Sequence, residues 1–242
     1  MRLYYMTTLE TLEQFVLPEL RIRVSTFDRV NDPFELLGMS QTNRDSRRHF
    51  AALYDHWVKT LGFVSFSDNW KSPLMWGHYA GNHTGVCLGI EIPTERVIPM
   101  NYQAERLELL LSMSPLEAAV DDDLIKQIVT TKFHDWAYER EWRYLTKLEH
   151  TDEDTDFHYI EFSPEFELRE IIAGARCERS LADLRRLVFA NTEAIKVFKA
   201  RAAFGFFGMV RQKAEQTLTI SPFHQTAGFR GRPRDRSNRN SG

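Results

Sequence analysis

Cysteine is nearly absent from this chain: its 242 residues hold only Cys87 and Cys177, far apart and in no CxxC pattern. That spacing argues against a disulfide framework and against a cysteine-based zinc site. No run of about 18 uncharged apolar residues occurs, so no membrane span is expected. The opening residues Met1 to Thr7 lack the apolar stretch of a secretion signal, and the expected location is the cytoplasm. The phosphate-cradling patterns GxxxxGK[ST] and GxGxxG are missing, as are the GxSxG nucleophile turn and the zinc-binding HExxH. Eight histidines are scattered without ligand-like neighbours, so no metal is expected. No internal repeat or heptad array is present.

What remains is an ordinary globular composition, 43% hydrophobic and 27% charged, with an uneven charge distribution. Gly228 to Gly242 carries five arginines against Asp235, a tail of +4, which leaves residues 1–227 at -7. Residues 1–227 are expected to form a single domain. The Arg-rich tail 228–242 is expected to be disordered, either as a solvated extension or as an arm making weak nucleic-acid contact.

The hydrophobic pattern predicts a mixed α+β fold. Leu3–Met6 reads as a strand. Thr7 or Thr8 caps a helix that runs to Leu17, with Pro18 as its stop. In the alternating run from Leu20 to Ser25, Leu20, Ile22 and Val24 face a core. Phe50, Leu53, Tyr54 and Trp57 give Arg44–Leu61 a helical period, ended by Gly62. Phe63–Ser67 alternates again, Ser72-Pro73 opens a short helix through Ala80, and Thr84–Ile92 is the clearest strand. One or two helices cover Ala104 to Lys132, broken near Ser114-Pro115. Strands follow at Arg140–Thr146, Phe157–Phe162 and Leu168–Ala173, a helix at Leu181–Ala194, and strands at Ile195–Ala200 and Thr217–Ser221. Many strands with interspersed helices imply an α+β domain rather than a βαβ series.

Three segments could carry chemistry. In Trp136 to Tyr144, a strand from Tyr138 places Glu139, Glu141 and Arg143 on one face and Tyr138, Trp142 and Tyr144 on the other. Repulsion would raise one carboxyl pKa while Arg143 holds the other ionised. The plain alternative is a solvated edge-strand face with salt bridges. In Ser72 to Ala80, Trp76, His78 and Tyr79 supply aromatic walls and a titratable group for a ligand pocket, and Ser65 and Ser67 of the preceding strand share a face toward it. The plain alternative for His78 is a hydrogen-bonded core histidine. In Asn31-Asp32-Pro33-Phe34-Glu35, either a capped turn forms or Asp32 or Glu35 reaches the same cleft.

These segments, in this order, resemble a bacterial family, domain of unknown function 2971. The resemblance is carried by Leu3-Tyr4-Tyr5, by Arg23-Val24-Ser25 with Val30-Asn31-Asp32-Pro33-Phe34-Glu35, by Phe66-Ser67 through Gly89, and by Trp136 through Arg143. It covers roughly residues 3 to 220. Tyr5 stands where that family has a basic residue, and Val30 where it has Phe. A more distant likeness is to ADP-ribosyltransferases, through an opening strand, a helix, a second strand ending in Ser, an aromatic and serine block, and a late Glu-x-Glu. That likeness implies a split, mixed or antiparallel sheet gripping NAD as substrate. It implies that Glu141, with Glu139 two residues before it, stabilises an oxocarbenium-like transition state. The opening-strand His or Arg of those enzymes is absent; Tyr4 and Tyr5 stand there, with Arg2 just before.

The expectation is an ADP-ribosyltransferase-like or NAD-cleaving enzyme, of the kind that acts as a defence toxin such as in phage defence. Glu141, Glu139 and His78 would be catalytic; Arg143 would anchor phosphate, Tyr79 and Trp76 would stack on a ring, and Ser67 and Tyr4 would contact the cofactor. Two other readings stay open. One is a module that binds a small nucleotide-like ligand without turnover. The other is a metal-dependent nuclease using Glu139, Glu141 and Asp32. If Glu141 and His78 lie on opposite faces, all three site assignments fall together.

Overall fold

The computed structural model describes residues 1–30, 32, 34, 40, 42, 44–107, 122–149, 151–153, 155–188 and 194–220. The strands are β1 (Arg2–Thr7), β2 (Arg21–Thr26), β3 (Leu61–Ser67), β4 (Val86–Glu91), β5 (Ile98–Pro99), β6 (Asn101–Gln103), β7 (Thr131–Phe133), β8 (Glu141–Lys147), β9 (His158–Glu161), β10 (Glu167–Ala173), β11 (Ile195–Ala202), β12 (Met209–Arg211) and β13 (Leu218–Ile220). The fold is α+β. The main sheet runs β12-β11-β10-β4-β1-β3-β2-β9, with β13 on β11, β8 on β3 and β5 on β8. Its pairs are antiparallel except β10 with β11; β6 and β7 form a separate parallel pair.

The centre of the sheet follows from the composition of β4. Val86, Cys87, Leu88 and Ile90 are all buried, and only a strand covered on both faces tolerates such a run. Leu88 and Ile90 join Leu3, Leu12, Val16, Ile171 and Leu184 on one side. Cys87 joins Met6, Met75, Trp76, Ile172 and Phe198 on the other. Each such side chain contributes about 1.5–3 kcal/mol on burial. The helix Arg44–Thr60 supplies Phe50, Leu53 and Trp57, as its period predicts, to a third cluster with Phe27, Phe63, Ile128 and Val129.

Several local readings need correction. Pro18 does not stop the first helix. Leu9–Thr11 is followed by a π-turn at Leu12–Val16 and then by Leu17–Glu19, and the chain leaves at Leu20 in a left-handed conformation (φ 49°). The wide turn lies just before the proline, whose ring would otherwise meet the carbonyl four residues back. Leu20 therefore lies before β2, and only Ile22 and Val24 of the alternating set are buried. Gly62 is not a helix cap but the second residue of β3. A Cβ there would lie 2.5 Å from Val24 Cγ1 and 2.7 Å from Leu148 Cδ2. The segment before β8 is a 3-10 helix, His134–Glu139, not a strand.

The readings over Ala104 to Lys132 and Leu181–Ala194 fall partly outside the described residues, where only Asp122–Val129 and Leu181–Arg186 are helical. Asn31, Pro33, Glu35 and the Arg-rich tail lie outside them too. Among the described residues, no helix is long and apolar enough to cross a membrane.

Candidate active site

A gap in the sheet makes the site. One edge of β3 pairs with β8 along its whole length, Leu61 to Ser67 against Lys147 to Glu141. The other edge is shared. β2 takes Gly62 and Phe63, while β1 touches it at a single register, Tyr4 opposite Ser67. Between those two partners Val64, Ser65 and Phe66 have no strand neighbour on that edge. β1 meanwhile stays fully paired with β4. The sheet is therefore split, and a cleft of about 420 Å³ opens there. Tyr4 to Thr7 of β1 and Phe63 to Ser67 of β3 line it consecutively, as an opened strand edge must. Met75 and Tyr79 close it from the helix Pro73–Tyr79, and Lys132, Trp136, Glu139, Glu141 and Arg143 line it from the late segment.

The two carboxylates reach it by a bend between them. The 3-10 helix ends at Arg140, whose φ is 50°. A non-glycine residue in that region costs roughly 1–2 kcal/mol. Neighbours hold it: Arg140 Nη2 donates to Asp68 Oδ2 at 2.9 Å, and the Asp68 amide donates to the Arg140 carbonyl at 3.3 Å. Strain held in place between two functional groups is typical of a working site.

The charged face is buried rather than solvated, against the plain alternative. Glu139, Glu141 and Arg143 are 3%, 4% and 1% exposed. Arg143 Nε donates to Glu141 Oε1 at 2.8 Å, its Nη1 donates to the Val129 carbonyl at 2.6 Å, and its guanidinium lies 4.3 Å over the Phe63 ring. Ser65 Oγ donates to the same Glu141 oxygen at 2.6 Å. Lys132 Nζ bridges the pair, 2.7 Å from Glu139 Oε2 and 2.9 Å from Glu141 Oε2. Tyr79 donates its hydroxyl to Glu139 Oε1. Burial alone would raise the Glu141 carboxyl. The charges of Arg143 and Lys132, with hydrogen bonds from Arg143 and Ser65, outweigh it and hold Glu141 at about 2. Burial and then Glu139 push the Tyr79 hydroxyl well above its ordinary value. Tyr4, raised by burial and then by Glu170, stands at about 12. Both phenols are thus neutral donors at neutral pH.

Of the residues predicted from sequence, Glu139, Glu141, Arg143, Ser67, Tyr79, Tyr4 and Asp32 line the cleft. Ser67 is occupied with scaffold: its hydroxyl donates to the Glu139 carbonyl at 2.6 Å. Two residues are placed elsewhere. Trp76 is fully buried in the core beneath the cleft, its indole N–H donating to the Trp70 carbonyl at 2.6 Å, so its ring faces no ligand. His78 is exposed outside the cleft against the rings of Tyr79 and Tyr138, because it sits on the outward side of a two-turn helix. His78 does not line the cleft with Glu141, so its predicted catalytic place is not supported; Tyr79, against which it packs, does line the cleft.

Lys132 was not legible as a site residue, since it lay at the end of a predicted helix and nothing in its spacing marks a partner seven and nine residues on. Arg23 and Arg29 also line the cleft unannounced. Among the described residues, no group of three or more His, Cys, Asp or Glu is arranged to hold a metal ion. Lys132 stands between the two carboxylates, where the nuclease reading needs a divalent cation.

No curated protein and no solved structure matches the chain. Residues 75–144, which hold Tyr79, Lys132, Glu139, Glu141 and Arg143, match the model of the family described as protein of unknown function (DUF2971), the family that the sequence motifs resemble.

Proposed function

We propose that the cleft between β1 and β3 binds NAD and that the protein breaks its nicotinamide–ribose bond, passing the ribosyl group to water or to a macromolecular acceptor. The observation that carries this reading is the convergence of Glu139 and Glu141 on the cleft at the split of the sheet, with Glu141 held ionised. As the C–N bond lengthens, nicotinamide leaves with the bonding pair and positive charge grows on the ribose. A fixed carboxylate in a partly desolvated site stabilises that charge. Arg143 and Ser65 hold Glu141 in one orientation, and Lys132 keeps Glu139 beside it. The neutral hydroxyls of Tyr4 and Tyr79 and the unpaired backbone edge of β3 offer hydrogen bonds to a planar carboxamide. The test is release of nicotinamide from NAD by purified protein. Glu141→Gln should abolish it in a variant that circular dichroism shows to be folded. Wild-type protein that neither binds nor consumes NAD, with a candidate acceptor present, overturns the reading.

A second reading has an observation of its own. Each carboxylate oxygen of Glu139 and Glu141 already has a protein partner, as in a self-satisfied polar cluster. A module that binds a nucleotide-like ligand without turnover fits that geometry. It predicts a ligand-dependent rise in melting temperature and no product.

A further inference from the structure

The β2 side of the cleft carries two arginines whose partner is an aromatic ring. Arg23, on β2, and Arg29, just past its end, are both exposed and both line the cleft. Their guanidinium carbons lie 3.6 Å and 5.2 Å from the centroid of one ring, Phe157. Neither has a carboxylate partner among the described residues. Arg21, on the same face of β2, makes the contrast plain. It stacks on Tyr159 at 3.6 Å, but its Nη1 is also 2.6 Å from Asp152 Oδ2 and its Nη2 pairs with Glu19. Arg21 is tied into the scaffold; Arg23 and Arg29 are gathered on one ring with their N–H edges uncommitted to any acid among the described residues.

Two like charges brought together cost free energy unless an anion joins them. Stacking on a ring fixes each guanidinium plane and leaves its edge free to donate two parallel hydrogen bonds, the geometry that phosphate oxygens match. Ser25, two residues along the same face of β2, adds a hydroxyl to this side. Asp32 lines it too, but its Oδ1 accepts from the Phe34 amide at 2.9 Å, which ties that carboxylate to its own backbone. Residues 1–227 carry a net charge of -7, so an uncommitted pair of cations at a cleft is a local feature and not part of a basic surface.

We infer that Arg23 and Arg29 form a phosphate-binding clamp, so that the cleft takes a phosphate-bearing ligand with its anionic part at β2 and its reacting part at Glu141. The inference builds on the reading of the cleft as a nucleotide site, and it names which residues take the phosphates. The test is calorimetric titration with inorganic pyrophosphate at two salt concentrations, for the wild type and for Arg23→Ser, Arg29→Ser and Arg201→Ser. Pyrophosphate should bind the wild type and weaken as salt rises. Each of the first two changes should weaken it about tenfold or more. Arg201→Ser, outside the cleft, should leave it close to wild type. All the arginines changed are on the surface, so circular dichroism should show the same fold in each variant. No pyrophosphate binding by the wild type, or equal binding by the Arg23 and Arg29 variants, overturns the clamp. Arginine-dependent pyrophosphate binding in a protein that never releases nicotinamide upholds the clamp and removes only the enzymatic reading.

Discussion

Lys132 Nζ lies 2.9 Å from Glu141 Oε2, nine residues along the chain and across a 3-10 turn, and the same ammonium lies 2.7 Å from Glu139. With Arg143 it makes a buried group of two acids and two bases. Formal charge there is balanced, which is how four ionisable side chains coexist at low exposure. The expense of burying such a group, rather than hydrophobic residues of like volume, points to a task beyond stability.

Lys132→Met should destabilise the protein by about 3–5 kcal/mol, because it leaves two buried carboxylates short of a cation. Urea unfolding of the variant measures this directly. Combined with Glu141→Gln, the loss should be smaller than the sum of the two single losses by about 1 kcal/mol or more. Additive losses would mean that the bridge is not energetically coupled.

The pH dependence follows from Glu141. Its folded-state value, about 2, lies below the ordinary 4.5, so the folded state favours the carboxylate. The associated stability is present above the unfolded value and is lost as pH falls from about 4.5 toward about 2. The amount is on the order of 3 kcal/mol. Unfolding free energies measured between those limits should fall more steeply for wild type than for Glu141→Gln, which has no proton to take up there.

Ser65→Ala removes the hydroxyl that donates to Glu141 Oε1 at 2.6 Å. The expected loss is about 1–2 kcal/mol, since Arg143 and Lys132 remain. The Glu141 titration, followed by carbon-detected NMR on labelled protein, should move upward. An unmoved titration would show that Ser65 only fills space.

Gly85→Ala tests the packing behind the cleft. A Cβ at this position would lie 2.3 Å from the Thr7 carbonyl oxygen and 2.9 Å from that of Ala80. Backbone on both sides cannot give way as a flexible side chain would. A loss of about 2 kcal/mol or more is expected in thermal or urea unfolding, with β1 displaced at the wall of the cleft.

Much of the architecture was legible because it is set locally. The small and apolar run of β4 announces a strand. The spacing of Phe50, Leu53 and Trp57 announces the helix Arg44–Thr60, and Ser72-Pro73 marks the start of the helix that carries Tyr79. Short strands such as β5, β6, β7 and β12 escaped notice because two or three residues hold no period, and they exist only through their partners. Pro18 and Gly62 misled for the opposite reason. Each is a strong local stop signal whose meaning was changed by its surroundings, a π-turn before the proline and a crowded strand crossing at the glycine.

The site divides the same way. Sequence alone determined that Glu139, Glu141 and Arg143 fall close together, since neighbours along a chain cannot be far apart in space. It also determined the aromatic and serine segments that flank them. Tertiary structure alone decided that this set is buried, that Lys132 stands between the carboxylates, that Tyr79 and not His78 faces them, and that Arg23 and Arg29 meet on Phe157. Those relationships depend on where β3 runs out of strand partners between β2 and β1. That gap is fixed by the register of long-range pairs, which no local pattern of residues encodes.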